Sequence, residues 1–163
     1  MASKPEIKIP AQIFREYDIR GLVGTELNAE LYNALGKAYG TYLQKRKTKD
    51  AVVGYDNRLS SQGYSKEFIE GLLSTGINVV NIGCVVSPLM YFARKHLKIN
   101  GGAMITASHN PKEFNGLKMA EGDGCIYGKE IQEIRKIAEK SDFFAAKEKG
   151  KEKKLDVLPA YIK

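Results

Sequence analysis

Short apolar runs alternating with longer amphipathic stretches constrain this chain more than any other feature of its sequence. From Asn28, a good helix cap with Glu30 in the turn that follows, Leu31, Leu35, Ala38, Tyr42 and Leu43 recur at helical spacing toward the basic end Lys45-Arg46-Lys47. Ala51-Val52-Val53-Gly54-Tyr55 is a brief strand-forming run, and Asp56-Asn57-Arg58 turns the chain into a second helix carrying Phe68, Ile69, Leu72 and Leu73. Gly76 stops it. Ile77 to Ile82 reads as the next strand. Ser87-Pro88 then offers a cap and a first-turn proline to a third helix that ends in Arg94, Lys95 and His96. Ala103 to Ile105 and Leu117 to Ala120 read as two more strands, followed by the turn Glu121-Gly122-Asp123-Gly124 and a last helix with Ile131, Ile134 and Ala138.

Such alternation predicts a three-layer α/β/α sandwich around a mixed, mostly parallel sheet. The strand after Ser108 is expected to run antiparallel, because only a short polar loop joins it to its neighbour. A length of 163 residues suits one domain able to bury roughly two thirds of its unfolded surface. Residues 1–140 read as that domain and 141–163 as a connector toward a second one. The lysine-rich run from Lys147 to Lys154 is expected to be solvated rather than firmly packed.

The candidate chemistry sits in Thr106-Ala107-Ser108-His109-Asn110-Pro111, directly after Gly101-Gly102-Ala103-Met104-Ile105. Open α/β sheets bind ligands at the carboxyl ends of their strands, so this loop is placed for function. On turn chemistry alone, Ser108 and Asn110 read equally well as an Asx or serine turn ahead of Pro111. The GxSxG turn that activates hydrolase serines is absent. In an extended segment adjacent side chains point apart, so His109 is expected to be an awkward base for Ser108, although it can donate to phosphate oxygens.

TASHNP, together with Ile13-Phe14-Arg15-Glu16-Tyr17-Asp18-Ile19-Arg20-Gly21 and Asn115-Gly116-Leu117-Lys118, resembles the α-D-phosphohexomutase superfamily in its bacterial phosphomannomutase/phosphoglucomutase branch. The resemblance runs from about Ile13 to the final residues, where Leu155 to Ile162 looks like the connector into the family's second domain. It implies an isomerase that converts a hexose 1-phosphate of glucose or mannose into the 6-phosphate through a bisphosphorylated sugar. Ser108 would carry the phosphoryl group, and Lys118 would act as general base and acid for the sugar hydroxyl. Arg20 and His109 would complete the catalytic set, with Arg15, Tyr17 and Asn110 binding substrate or phosphate. A phosphoserine holds about −1.5 to −2 charge and needs cations and donors around it. The resemblance also implies Mg²⁺, held through the phosphate of Ser108 and mainly by a domain absent from this chain, and an activator of the glucose 1,6-bisphosphate type. Asp56 and Arg58 would buttress the reactive loop through an ion pair. The partners are then a phosphorylated hexose and the remaining domains of a longer chain, without which this piece is expected to be inactive.

A formal net charge of +7 raises nucleic acid as a partner, but the excess is segregated at Lys45-Arg46-Lys47 and in the lysine-rich connector. No groove-reading or base-stacking motif accompanies it, so no nucleic acid is expected. Cys84 and Cys125 form no CxxC pair and are expected to be reduced, buried or neutral in a cytoplasmic setting. Met1 to Pro10 lacks an apolar run like that of a signal peptide, and nothing approaches the ~20 apolar residues of a spanning helix. His96 reads as a helix-end residue and Asp123 as a hairpin carboxylate without a metal role. The rival to the enzyme is a non-catalytic phosphate-binding or interaction module.

Overall fold

The computed structural model describes residues 8–163, so residues 1–7, most of the stretch read for a leader, lie outside the described residues. Helix α1 (Ala29–Lys45) starts where Asn28 accepts the Leu31 amide at 2.8 Å. It is followed by β2 (Asp50–Tyr55), α2 (Ser61–Ser74), β3 (Asn78–Cys84), α3 (Ser87–Leu97) and β4 (Gly101–Ile105). The chain then returns through β5 (Phe114–Glu121) and β6 (Gly124–Cys125) to α4 (Lys129–Lys140). Val86, not Ser87, caps α3 and makes no side-chain hydrogen bond, so Ser87-Pro88 lies inside the first turn. An edge strand β1 (Ile19–Leu22) precedes α1, at a place where the apolar periodicity predicts no strand.

The sheet runs β1-β5-β4-β2-β3-β7, where β7 is Glu152–Lys154 near the end of the chain and β6 lies beside β5. β2 pairs in parallel with β3 and β4, while β5 is antiparallel to β1, β4 and β6, so β5 alone opposes the common direction. Both faces are covered, as a sheet of this kind requires. Ala51 and Val53 of β2 pack toward α1, α2 and α4, whereas Val52 packs with Met104, Ile82 and the α3 residues Leu89, Met90 and Ala93. That alternation produces the three layers.

The two helices of the larger layer touch backbone to backbone. A methyl on Gly36 would sit 2.1 Å from the Phe68 carbonyl oxygen, and one on Gly71 would sit 2.2 Å from that of Asn33. Only glycine permits this approach. Buried tyrosines then tie the layer to the sheet: the Tyr32 hydroxyl donates to Gly116 O at 2.9 Å, and the Tyr39 hydroxyl donates to Ala120 O at 2.7 Å while accepting the Gly102 amide at 2.8 Å. Burial raises the ionisation point of both phenols.

The segment after Ser141 does not stay loose. Phe144 donates its amide to Thr41 Oγ1 at 2.8 Å and Gly150 donates to Leu73 O at 2.8 Å. β7 (Glu152–Lys154) pairs in parallel with Val79, Val80 and Asn81 of β3, and Val157 is buried beneath the short helix α5 (Leu158–Tyr161). The expectation of an unpacked basic run fails because strand pairing uses backbone groups. The side chains of Glu152, Lys153 and Lys154 remain in water, as charged edge strands require. Cys84 and Cys125 are unpaired and exposed rather than buried. Among the described residues no helix is long and apolar enough to cross a membrane.

Candidate active site

The connection after β2 passes to the α1–α2 face and the one after β3 passes to the α3 face. Where neighbouring parallel strands send the chain to opposite faces, a cleft opens at their carboxyl ends. Asp56, Arg58, Val86, Thr106, Ser108 and His109 are among the residues lining it.

Ser108 follows the end of β4 and adopts φ 55°, the left-handed region that a non-glycine residue enters at a cost of about 1–2 kcal/mol. Several contacts hold it there. Thr106 Oγ1 accepts the Ser108 amide at 2.9 Å, and Asn110 donates its amide to Ala107 O at 3.1 Å. Arg58 grips the loop from the β2 side. Its Nη1 donates to Pro111 O at 2.7 Å and Phe114 O at 3.0 Å, and its Nη2 to Asn110 O at 2.7 Å and Ser108 O at 3.1 Å. Asp56 orients that fork, accepting Arg58 Nε at 3.1 Å, and is itself held by the Ser61 hydroxyl. The buttressing ion pair expected of Asp56 and Arg58 is present, and its reach over four carbonyls exceeds what the sequence suggested.

The turn also overrules the expectation for His109. Ser108 Oγ lies 2.9 Å from His109 Nδ1. Side chains of adjacent residues diverge in extended backbone, and the left-handed twist at Ser108 brings the imidazole back onto the hydroxyl.

A second polar group lies on β1 and β5. Leu117 and Met119 enter the core, which puts Lys118 on the opposite, half-buried face of β5. Lys118 Nζ donates to Asp18 Oδ2 at 3.0 Å. The same oxygen accepts Arg20 Nη2, and Arg20 Nη1 donates to Asn110 Oδ1 at 2.7 Å. A continuous polar chain therefore runs from Lys118 through Asp18 and Arg20 to the loop bearing Ser108. Asp18, only 6% exposed, was not singled out from sequence. The available signal was a carboxylate beside Ile19, a fully buried strand residue.

Arg15 and Tyr17 stand apart. Tyr17 is 71% exposed and stacks on Tyr127 with centroids 6.3 Å apart. Arg15 lies near Glu26, whose carboxyl is held below its usual range chiefly by the Leu22 amide and Gln12, with a smaller pull from Arg15. Among the described contacts neither side chain touches the Ser108 loop. His96 stacks on Phe92 at 5.2 Å, and Asp123 pairs with Lys95 at 2.8 Å.

Residues 11–145 match the family described as phosphoglucomutase/phosphomannomutase, alpha/beta/alpha domain I. The phosphomannomutase of Vibrio cholerae is 40% identical over 153 residues, an alignment covering 91% of this chain and 33% of the relative. The phosphomannomutase/phosphoglucomutase of Pseudomonas aeruginosa is 39% identical over 155 residues, covering 95% and 33% respectively. A crystal structure of a phosphoglucomutase/phosphomannomutase family protein from Burkholderia thailandensis superposes with a TM-score of 0.90 at 31% identity, over 95% of this chain and 35% of that one. The chain spans about a third of the length of the curated relatives it matches. On that agreement of sequence and backbone, it belongs to the phosphoglucomutase/phosphomannomutase family and carries the family's α/β/α domain I.

Proposed function

We propose that this chain is the phosphoryl-carrying part of a phosphomannomutase/phosphoglucomutase, and that the complete protein interconverts hexose 1-phosphate and hexose 6-phosphate through a phosphoserine at Ser108 and a bisphosphorylated sugar. The observation carrying this reading is the Ser108 turn, fastened by Arg58 so that Oγ stands at the mouth of the cleft beside His109. The names of the relatives support glucose or mannose phosphate as substrate.

In the first half of the reaction, Lys118 Nζ acts as general base, taking the proton of a sugar hydroxyl as the hydroxyl oxygen bonds the phosphorus. The bond from phosphorus to Ser108 Oγ breaks, and Oγ takes a proton from His109. After the bisphosphate reorients, Ser108 returns its proton to His109 while Oγ bonds the second phosphoryl group. The departing sugar oxygen then takes the proton held on Lys118, so both bases are reset. Arg20 is a fork-shaped donor suited to the phosphoryl oxygens, and Asn110, its Oδ1 held by Arg20, retains amide N–H donors. Tyr17 and Arg15, on the adjoining exposed segment, would meet the sugar phosphate.

Magnesium fits only in part. Among the described residues no three His, Cys, Asp or Glu side chains gather as a metal site, and Asp56 is engaged by Arg58 and Ser61. Phosphorylated Ser108 would supply one oxygen ligand, with the others coming from outside this chain. When bound, the ion supplies charge neutralisation at the transferring group. A bisphosphate activator would rephosphorylate Ser108 after loss of its phosphate. This chain alone is expected to be inactive, and its unpaired cysteines support a reducing, cytoplasmic setting.

Phosphopeptide mapping of the full-length protein, purified without phosphatase treatment, should place phosphate on Ser108, and Lys118→Ala should lower kcat by ~10²–10⁴-fold. Phosphate found on Ser60, Ser61 or Ser65 with Ser108 bare would overturn the assignment.

A further inference from the structure

We infer that Asp18 is a positioning residue for the proposed phosphoryl transfer, its carboxylate fixing Lys118 and Arg20 relative to each other and to the Ser108 loop. This deepens the mutase reading above and rests on it.

A carboxylate removed from water is costly unless charged partners replace its hydration, and Asp18, with a side chain 7% exposed, has two at a single oxygen. Those partners come from different strands, Arg20 from β1 and Lys118 from β5, so no local sequence preference brings them together. Their side chains are long and rotamer-rich, with 18% and 27% exposure. Left alone they would repel one another and sample several orientations. Asp18 cancels the repulsion and selects one arrangement.

The charge count matters as well. Arg20 and Lys118 against Asp18 leave one positive charge, and Arg58 against Asp56 leaves none. The array keeps an attraction for a phosphate without two uncompensated cations in a half-buried site. Arg20 Nε is buried and without a partner among the described residues, so its two Nη contacts, to Asp18 and Asn110, set the direction of the fork. Asp18 thereby acts at the loop through Arg20 and on the sugar hydroxyl through Lys118.

The test uses the full-length protein. Asp18→Asn is expected to lower kcat about 10–100-fold, with KM within about threefold. In a Lys118→Ala background the same substitution should lower kcat by clearly less than it does in the wild type, since only its action through Arg20 remains. Asp18→Glu, which keeps the charge but displaces the carboxylate by one methylene, should also lose turnover with little change in melting temperature. Effects that multiply in the double variant, or full turnover in Asp18→Glu, would overturn the inference.

If the wild-type protein shows no mutase turnover, the proposed function falls and the array is judged on the present chain by lysine side-chain NMR. A Lys118 NH₃⁺ signal that is protected from exchange and is lost in Asp18→Asn supports the positioning role. A signal that the substitution leaves unchanged overturns it.

Discussion

Replacing Arg58 with alanine removes the fork that donates to four loop carbonyls, and the size of the loss can be worked from their surroundings. A hydrogen bond to a charged group contributes about 1.5–3 kcal/mol, so a naive sum would exceed the stability of many domains. Two of the acceptors, Ser108 O and Pro111 O, are exposed and regain water when Arg58 is gone. Asn110 O and Phe114 O are part-buried and pay most of their desolvation cost. Asp56 loses an ion pair in which the side chains are 13% and 19% exposed, but keeps the Ser61 hydroxyl. The net cost should be about 2–4 kcal/mol, a fall in melting temperature of roughly 5–15 °C for a domain of this length. Circular dichroism melts measure the global effect, and amide exchange at Ser108 and Asn110 measures the local one, with protection expected to fall at both. Arg58→Lys should land between the two, because one ammonium cannot span the carbonyls that the planar guanidinium reaches. Melting of Arg58→Ala within about 1 °C of wild type, with exchange in the loop unchanged, would refute the clamp.

Two further expectations concern the fold. Gly36→Ala should destabilise by about 1–3 kcal/mol through the clash with the Phe68 carbonyl, outweighing the helix-propensity gain of about 1 kcal/mol. Gly63→Ala in α2, where a methyl meets nothing, should be neutral or stabilising in the same denaturant titration. Tyr32, Tyr39, Tyr42, Tyr64 and Tyr91 all have raised ionisation points, chiefly from burial, that of Tyr91 reaching about 12 with help from Cys125. Because the folded-state values lie above the unfolded value near 10, their stabilisation is complete below that pH and is lost as pH rises through the folded values. Of the nine tyrosines, these five should therefore add their 295 nm tyrosinate absorbance together with unfolding above about pH 10, and an absorbance change ahead of the loss of ellipticity larger than the other four, Tyr17, Tyr55, Tyr127 and Tyr161, can supply would contradict the raised values.

Helical periodicity made α1 and α2 legible, because their apolar positions repeat against a polar face. β1 and β7 escaped for the opposite reason. Their pairing is made by backbone groups, and in β7 the side chains are Glu152, Lys153 and Lys154, which leave no apolar trace. Within the candidate site, motif resemblance points to Ser108, Arg20, Asn110 and Lys118, and the structure connects Lys118 and Arg20 to the loop of Ser108 and Asn110 through Asp18. The Ser108–His109 contact was misjudged because one dihedral angle in a turn reverses the relation between neighbours, and composition does not encode it. Asp18 stood inside the recognised segment, but its importance comes from a residue a hundred positions away.

The left-handed backbone at position 108 also narrows which amino acid can bear the hydroxyl. Threonine offers the same oxygen and accepts phosphate as readily, yet its branched β-carbon crowds the carbonyl in this region, which tolerates glycine, asparagine or aspartate far better. An exchange that looks conservative by chemistry is thus disfavoured by stereochemistry, and between the two aliphatic alcohols the turn favours the unbranched one. Asparagine, without an alcohol, fits the turn better, so a Ser108→Asn chain should keep its loop geometry while losing the nucleophile. That separates the shape of the loop from its chemistry, a separation that Ser108→Thr would blur.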